Sequence, residues 1–375
     1  MNGNILIVSA SIGAGHTRAA EAVRNELNLL SPSAHVTIVD FLDQRSALGN
    51  FIKEVYLKMI GVVPDIYDFL YHWSQEPQTS ANAKNATAMI MKARMLNLIC
   101  EHQPDLLVFT HPFPCCAAAF LRRTKKIDIP LAAVLTDFAP HPMWIHNEID
   151  TYFVASEEMK QSLCDKGIEK GHIFVTGIPT STQFVKKKCS HSKEGMTIPM
   201  VLVMGGSLGL GAVEKTVTSL MDAKTGFEIM VVTGNNFKLK QRLSLLKSAP
   251  LHPLTVIGYT DQVNELMASA SILLTKPGAL TCSEALVMEL PMLLLNPIPG
   301  QEEENAVYLT EKGVALRIDQ VCSLAPLLDK LFASPEVLND MKARAHVLSR
   351  PNAAKDIVTI LLKKFACKKP IFPAS

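Results

Sequence analysis

Short, continuously apolar runs recur along the chain, separated by longer stretches in which apolar residues return every three or four positions. The first run, residues 4–9, carries Ile5, Leu6, Ile7 and Val8 without interruption. That is the pattern of a strand buried on both faces of a parallel sheet. A helix is expected from about residue 17 to residue 30, with Ala19, Ala20, Val23, Leu27 and Leu30 on one face. Further strands are expected at residues 36–39, 106–110, 129–136, 152–154 and 172–176, completing a first Rossmann-like layer. After Gly177 the periodicity dissolves into a polar stretch with Lys186, Lys187, Lys188, Ser190, Ser192, Lys193 and Gly195, the character of a linker. The alternation then restarts, with strands expected at residues 200–204, 229–233, 254–258, 271–275, 292–295 and 315–318.

This α/β alternation predicts two Rossmann-like, doubly wound domains facing a central cleft, with ligands outside the carboxyl ends of the strands. The boundaries it implies are an N-terminal domain over residues 1–185, a linker over 186–199 and a C-terminal domain over 200–345. Residues 346–375 read as a terminal helix and tail that pack back on the N-terminal domain. One segment breaks the alternation: residues 47–73 are dense in large apolar groups, among them Phe51, Tyr56, Phe69, Tyr71 and Trp73, with Lys53 and Lys58 between them. It fits either a helical insert or a membrane-contacting surface. The tail, with Lys363, Lys364, Phe365, Lys368, Lys369 and Phe372, interleaves cations and apolar groups in the same way, although a charged terminal helix is usually just solvated.

Composition narrows the class. A 375-residue chain that is 48% hydrophobic and 19% charged suits well-buried α/β layers and excludes disorder as the main theme. A formal net charge of +2 lacks the electrostatic footprint of a nucleic-acid binder. No apolar stretch reaches the length of a membrane span, and the start of the chain lacks a signal-peptide pattern, so a cytoplasmic protein is expected. The eight cysteines form no CxxC pair and have no histidine at metal spacing, so they read as reduced thiols and no metal site is expected.

The strongest chemical signal is the run from Lys276 through Pro277, Gly278, Ala279, Leu280 and Thr281 to Glu284, which places a glycine turn between a strand and a helix. Free amides and the helix dipole there favour an anion, and Thr281 adds a hydroxyl, so a diphosphate would be held without a metal. Twenty residues on, Pro297, Gly300, Gln301, Glu302, Glu303, Glu304 and Asn305 repeat the strand, turn and helix with side chains suited to hydroxyl groups. Capping accounts for the acids, whereas Gln301 and Asn305 lie one turn apart on one face. Diphosphate plus polyol suggests a nucleotide sugar. The turn Gly13, Ala14, Gly15 has Arg18 where a dinucleotide fingerprint needs a third glycine, which argues against such a site despite Asp40 at the end of the second strand.

With Gly13, Ala14, Gly15 and His16 near the start and the two blocks at 275–285 and 296–305, the chain resembles the monogalactosyldiacylglycerol synthase and processive diacylglycerol glucosyltransferase family. It resembles more distantly the lipid-linked N-acetylglucosaminyltransferase of peptidoglycan synthesis. The resemblance covers nearly the whole chain and implies the GT-B fold, a UDP-sugar donor on the C-terminal domain, a lipid acceptor on the N-terminal domain and inversion at the anomeric carbon. It implies no tightly bound cofactor, with UDP-sugar, diacylglycerol or a related lipid and an anionic membrane surface as partners. It places the diphosphate at Gly278, Ala279, Leu280 and Thr281, ribose at Glu284, uracil at Tyr259 and Thr260, and sugar hydroxyls at Gln301, Glu302 and Asn305. Gly206, Ser207 and Gly234 would line the same cleft.

An inverting transfer needs one base. His16 is the first candidate, because an imidazole at a glycine turn titrates near neutrality and the family's matching histidine is its proposed base. It could instead cap the helix or touch phosphate. Asp137 is its rival or its orienting partner, while Gly13, Gly15, His111 and Trp144 would form the acceptor loop. Peripheral association with the cytoplasmic membrane face follows from a lipid acceptor. Two rivals share the donor site: a UDP-sugar 2-epimerase-like isomerase, and a UDP-N-acetylglucosamine transferase acting on another lipid-linked acceptor.

Overall fold

The computed structural model describes residues 3–11, 13–42, 77–188, 198–205, 213–246, 248–295 and 297–365. The chain divides into two compact units, one of residues 1–181 with 352–375, the other of residues 182–351. Each is built on a six-stranded, wholly parallel sheet.

In the first unit the elements run β1 (Asn4–Ser9), α1 (Gly15–Leu30), β2 (His35–Asp40), α2 (Pro77–His102), β3 (Leu106–Phe109), α3 (Pro112–Arg123), β4 (Leu131–Val134), β5 (Thr151–Val154), α4 (Glu157–Asp165) and β6 (Ile173–Val175). Strand order is β2-β1-β3-β4-β5-β6, so the order reverses between β1 and β3. Apolar side chains on the two faces of the sheet are separately covered. Leu6, Val8, Leu107, Phe109 and Tyr152 pack under α2 and α3, and Ile5, Ile7, Leu106, Val108 and Phe153 pack under α1. Continuous rather than alternating hydrophobicity in these strands is the consequence.

The second unit runs α5 (Thr182–Lys188), β7 (Met200–Met204), α6 (Val213–Leu220), β8 (Glu228–Val232), α7 (Phe237–Ser244), β9 (Leu254–Ile257), α8 (Val263–Ser269), β10 (Ile272–Thr275), α9 (Ala279–Val287), β11 (Met292–Leu295), α10 (Gln301–Glu311), β12 (Ala315–Ile318), α11 (Leu324–Ala333) and α12 (Pro335–Leu348). Its strand order, β12-β11-β10-β7-β8-β9, reverses between β7 and β10. The chain then returns to the first unit as α13 (Ala353–Phe365), which lies on α1 and buries Ile357, Val358, Leu361 and Phe365.

Three details differ from the sequence expectation. The first helix starts at Gly15 rather than Thr17, which puts His16 inside its first turn, and Leu30 is 43% exposed beyond the buried stripe. Lys186, Lys187 and Lys188, expected to open a linker, close α5 instead, because the buried Phe184 anchors that helix and α5 packs on α8 and α9. Lys364 of the basic tail is spent internally, donating to the Asp150 carbonyl at 2.7 Å and lying over the Phe174 ring. The aromatic segment 51–73 and the tail residues 368–372 lie outside the described residues. No described helix is long and apolar enough to cross a membrane.

Candidate active site

The candidate residues of each sheet lie beyond the carboxyl ends of its strands, and at the order reversal two diverging connections leave an opening. In the first unit that opening lies after β1 and β3. The β1 strand leads into Gly13, whose φ of +82° favours glycine. Asp40 Oδ1 ties the turn down, accepting from the amides of Ser11 and Leu42 at 3.0 Å. Helix α1 then begins without a side-chain cap and without an acid in its first turn, leaving its positive end uncompensated.

His16, the second residue of that helix, is held by its Nδ1. This nitrogen lies 2.8 Å from the Thr110 carbonyl at the end of β3 and 2.8 Å from Thr136 Oγ1 after β4. A carbonyl can only accept, so the Nδ1–H tautomer is selected and Nε2 keeps its lone pair. Burial lowers the His16 pKa to about 4, against the opposing pull of the Thr110 carbonyl. The helix dipole further disfavours an imidazolium there. His16 is thus a neutral imidazole with one nitrogen fixed and the other available.

His111 packs edge-on against His16, with ring centroids 4.6 Å apart. Its Nδ1 accepts from the Phe113 amide at 3.2 Å and caps α3, and burial with the neighbouring His16 keeps it well below the usual histidine range. Gly15 shares the first turn of α1 with His16, and Asp137 follows Thr136, part-buried. Trp144 requires correction: it is 1% exposed in the core with Phe109 and Tyr152, so its ring is packing and offers no surface to an acceptor. The orienting roles of Thr110 and Thr136 escaped the sequence, where each is only a threonine at a strand end.

In the second unit the opening lies after β10 and β7. Gly278 caps α9 with φ −69°, a value open to any residue, and a methyl group built on it meets nothing within 4 Å. The first intrahelical bond runs from Cys282 N to the Gly278 carbonyl at 3.0 Å, leaving the amides of Ala279, Leu280 and Thr281 at a helix end with no side-chain cap. Ala279 and Leu280 are buried, Thr281 is half-buried and Glu284, one turn on, is 6% exposed.

The neighbouring turn after β11 reverses at Gly300, φ +89°, and opens α10 with Gln301, Glu302, Glu303 and Glu304. Two side chains expected to meet sugar hydroxyls do other work here. Glu302 pairs with Lys276 through Oε1 and accepts from the Ile298 amide at 3.1 Å through Oε2, while Asn305, 1% exposed, donates to the Pro277 carbonyl at 3.2 Å. They bind the second turn to the first, and Gln301 remains half-buried at the helix start. Lys276 went unassigned in the sequence because its partner lies on another element.

Further along the same edge, Gly234 (φ +58°) follows β8 with its carbonyl 3.8 Å from a methyl built on Gly258, which follows β9. Tyr259 is 55% exposed and donates to Asp261 Oδ1 at 2.8 Å; Thr260 Oγ1 accepts from the Gln262 amide at 3.1 Å. Gly206 and Ser207 lie outside the described residues.

Comparison with known proteins bears on the family and the fold. The family model for monogalactosyldiacylglycerol (MGDG) synthase matches residues 16–180, and that for the glycosyltransferase family 28 C-terminal domain matches residues 200–357. A processive diacylglycerol beta-glucosyltransferase of Bacillus mycoides (strain KBAB4) is 31% identical over 373 residues, covering 96% of this chain and 94% of the relative. Among solved structures, MurG of Acinetobacter baumannii is similar with a TM-score of 0.64 at 14% identity, covering 96% of this chain and 99% of that one. UDP-GlcNAc 2-epimerase from Neisseria meningitidis is similar with a TM-score of 0.59 at 16% identity, covering 96% and 100%. At such identities the structures speak for the fold alone, which is the GT-B fold.

Proposed function

Since the chain belongs to the processive diacylglycerol beta-glucosyltransferase family and is a hexosyltransferase, we propose that it moves a hexose from a UDP-sugar to diacylglycerol or a related lipid, with inversion at the anomeric carbon. The observation that carries the donor half is the uncapped N-terminus of α9 at the order reversal of its sheet. Its amides suit a diphosphate, with Thr281 beside them, Glu284 toward the ribose, and Tyr259 and Thr260 toward the base. Gly234 lies on the donor side, and Gln301 faces the sugar from the start of α10.

In the transfer, the acceptor hydroxyl loses its proton to His16 Nε2 as its oxygen bonds to the anomeric carbon. The bond from that carbon to the β-phosphate oxygen breaks, and UDP departs with the electron pair, its charge met by the α9 amides. An imidazole with a pKa near 4 is free of its proton at neutral pH yet holds one weakly. Proton transfer therefore belongs late, when the hydroxyl oxygen is already bonding and has become acidic. Asp137, next in the chain to the Thr136 that holds His16, serves as an orienting or electrostatic partner, and Gly13, Gly15 and His111 shape the acceptor side. Lipid substrate implies peripheral binding at the cytoplasmic membrane face, with segment 51–73 and the basic tail as the contact; flotation with anionic vesicles tests this, and a full-length chain that stays unbound removes it.

The deciding experiment offers each UDP-hexose together with diacylglycerol vesicles and weighs the lipid products by mass spectrometry. A hexosyl-diacylglycerol product is expected. Conversion of the nucleotide sugar to its 2-epimer with no lipid product would instead place the chain among the epimerases that share its fold.

A further inference from the structure

Lys276 has no part in the donor contacts above, yet it stands where the two turns of that site meet. Its ammonium pairs with one oxygen of Glu302, the Ile298 amide occupies the other, and both side chains are largely buried, at 25% and 15% exposure. Such a pair escapes most of the solvent screening that makes surface ion pairs weak. A second tie, from Asn305 to the Pro277 carbonyl, runs parallel to it. Charge near the first turn of α9 is uneven. The Cys282 thiol, buried in that turn, feels Glu302 and Glu284 as negative neighbours and Lys276 as a positive one. An anion approaching the α9 amides therefore comes into a region already holding two carboxylates. The helix dipole, worth a partial charge, offsets neither of them fully.

We propose that Lys276 is a positioning residue for the donor: by neutralising Glu302 and pinning it to the turn that opens α9, it allows that helix end to accept a diphosphate while holding the second turn in register beside it. This inference rests on the donor reading and adds the group that makes two carboxylates compatible with it. Lys276 acts through Glu302, so its worth should vanish when the Glu302 charge is removed.

Calorimetry with UDP on wild type, Lys276→Met, Glu302→Gln and the double variant tests the coupling, with melting temperatures recorded for each. Lys276→Met is expected to weaken UDP binding roughly ten- to a hundredfold, because it leaves a buried carboxylate uncompensated. Adding Glu302→Gln should bring affinity back to within about twofold of Glu302→Gln alone, the signature of a coupled pair. Lys276→Gln keeps a donor but no charge and should fall like Lys276→Met, whereas Lys276→Arg should stay near wild type. In turnover the loss should appear in KM for the UDP-sugar more than in kcat. Wild-type affinity in Lys276→Met, or losses in the double variant that simply add, would overturn the shared-cation role. Wild-type protein that binds no UDP at all would remove the donor reading, and this inference with it.

Discussion

His16 derives its chemistry from two threonines that carry none. The Thr110 carbonyl, which can only accept, fixes Nδ1 as the protonated nitrogen, and the Thr136 hydroxyl holds the same atom, so the nitrogen left with a lone pair is chosen by the backbone just after β3. His16→Ala should lower turnover about 10²–10⁴-fold, the usual loss with a general base. UDP affinity, assigned in the proposed donor site to the other unit, should stay at the wild-type value in calorimetry. Turnover unchanged by the substitution would take His16 out of the mechanism. The pH profile gives an independent check. A base must be unprotonated to act, and burial lowers the His16 pKa to about 4. Activity carried by this group should thus hold level from neutrality down past pH 6 and fall only as pH approaches 4; an acidic limb centred near 6.5 would mean a base in an ordinary aqueous setting.

At the scale of the element, the N-terminus of α9 separates what folding requires from what binding requires. Gly278 has a φ open to any residue and free space where a methyl would go, so neither backbone nor packing demands glycine. Gly278→Ala should therefore melt within about 2 °C of wild type, since a surface change that disturbs no packing costs little. If a diphosphate lies against that backbone, the same variant should bind UDP several-fold more weakly; equal affinity would move the ligand away from the turn. The strand, the turn and the helix start here were legible in the sequence, because a continuous apolar run, a Pro-Gly break and a new helical period are local signals. The uses of Glu302 and Asn305 were not. Asn305 shares a helical face with Gln301, and Glu302 is assigned to the sugar by the resemblance, yet Glu302 bonds to Lys276 and Asn305 to the Pro277 carbonyl on the neighbouring connection, a relation set by the pairing of β10 with β11. The expected place of Trp144 in the acceptor loop fails for a related reason: long-range packing with Phe109 and Tyr152 buries it, which no local signal in the sequence shows.

For the whole molecule, the first unit is finished by a segment that comes after the second. Helix α13 covers the α1 face with Ile357, Val358, Leu361 and Phe365, all at most 2% exposed, so a chain ending at Pro351 should lose the first unit's thermal transition while the second unit still melts and still binds UDP. The two units should also part under acid. Four histidines of the first unit are held neutral by burial: His16 and His141 at about 4, His146 at about 3, and His111 well below its ordinary value. When the chain unfolds each regains a pKa near 6.5 and takes up a proton at any pH below that. Between pH 6.5 and about 4 the unfolded state therefore binds more protons than the folded one, so stability falls as pH falls, by up to about 1.4 kcal/mol per pH unit for each histidine. Above pH 7 both states are neutral at these positions and the term disappears. Calorimetric scans at pH 7.5, 6 and 5 should accordingly show the first unit's transition sliding down further than the second's, and His146→Gln, which removes the most depressed of the numbered groups, should flatten that slope. Equal shifts of both transitions would mean that carboxylates spread over the whole chain, rather than these neutral imidazoles, govern its response to acid.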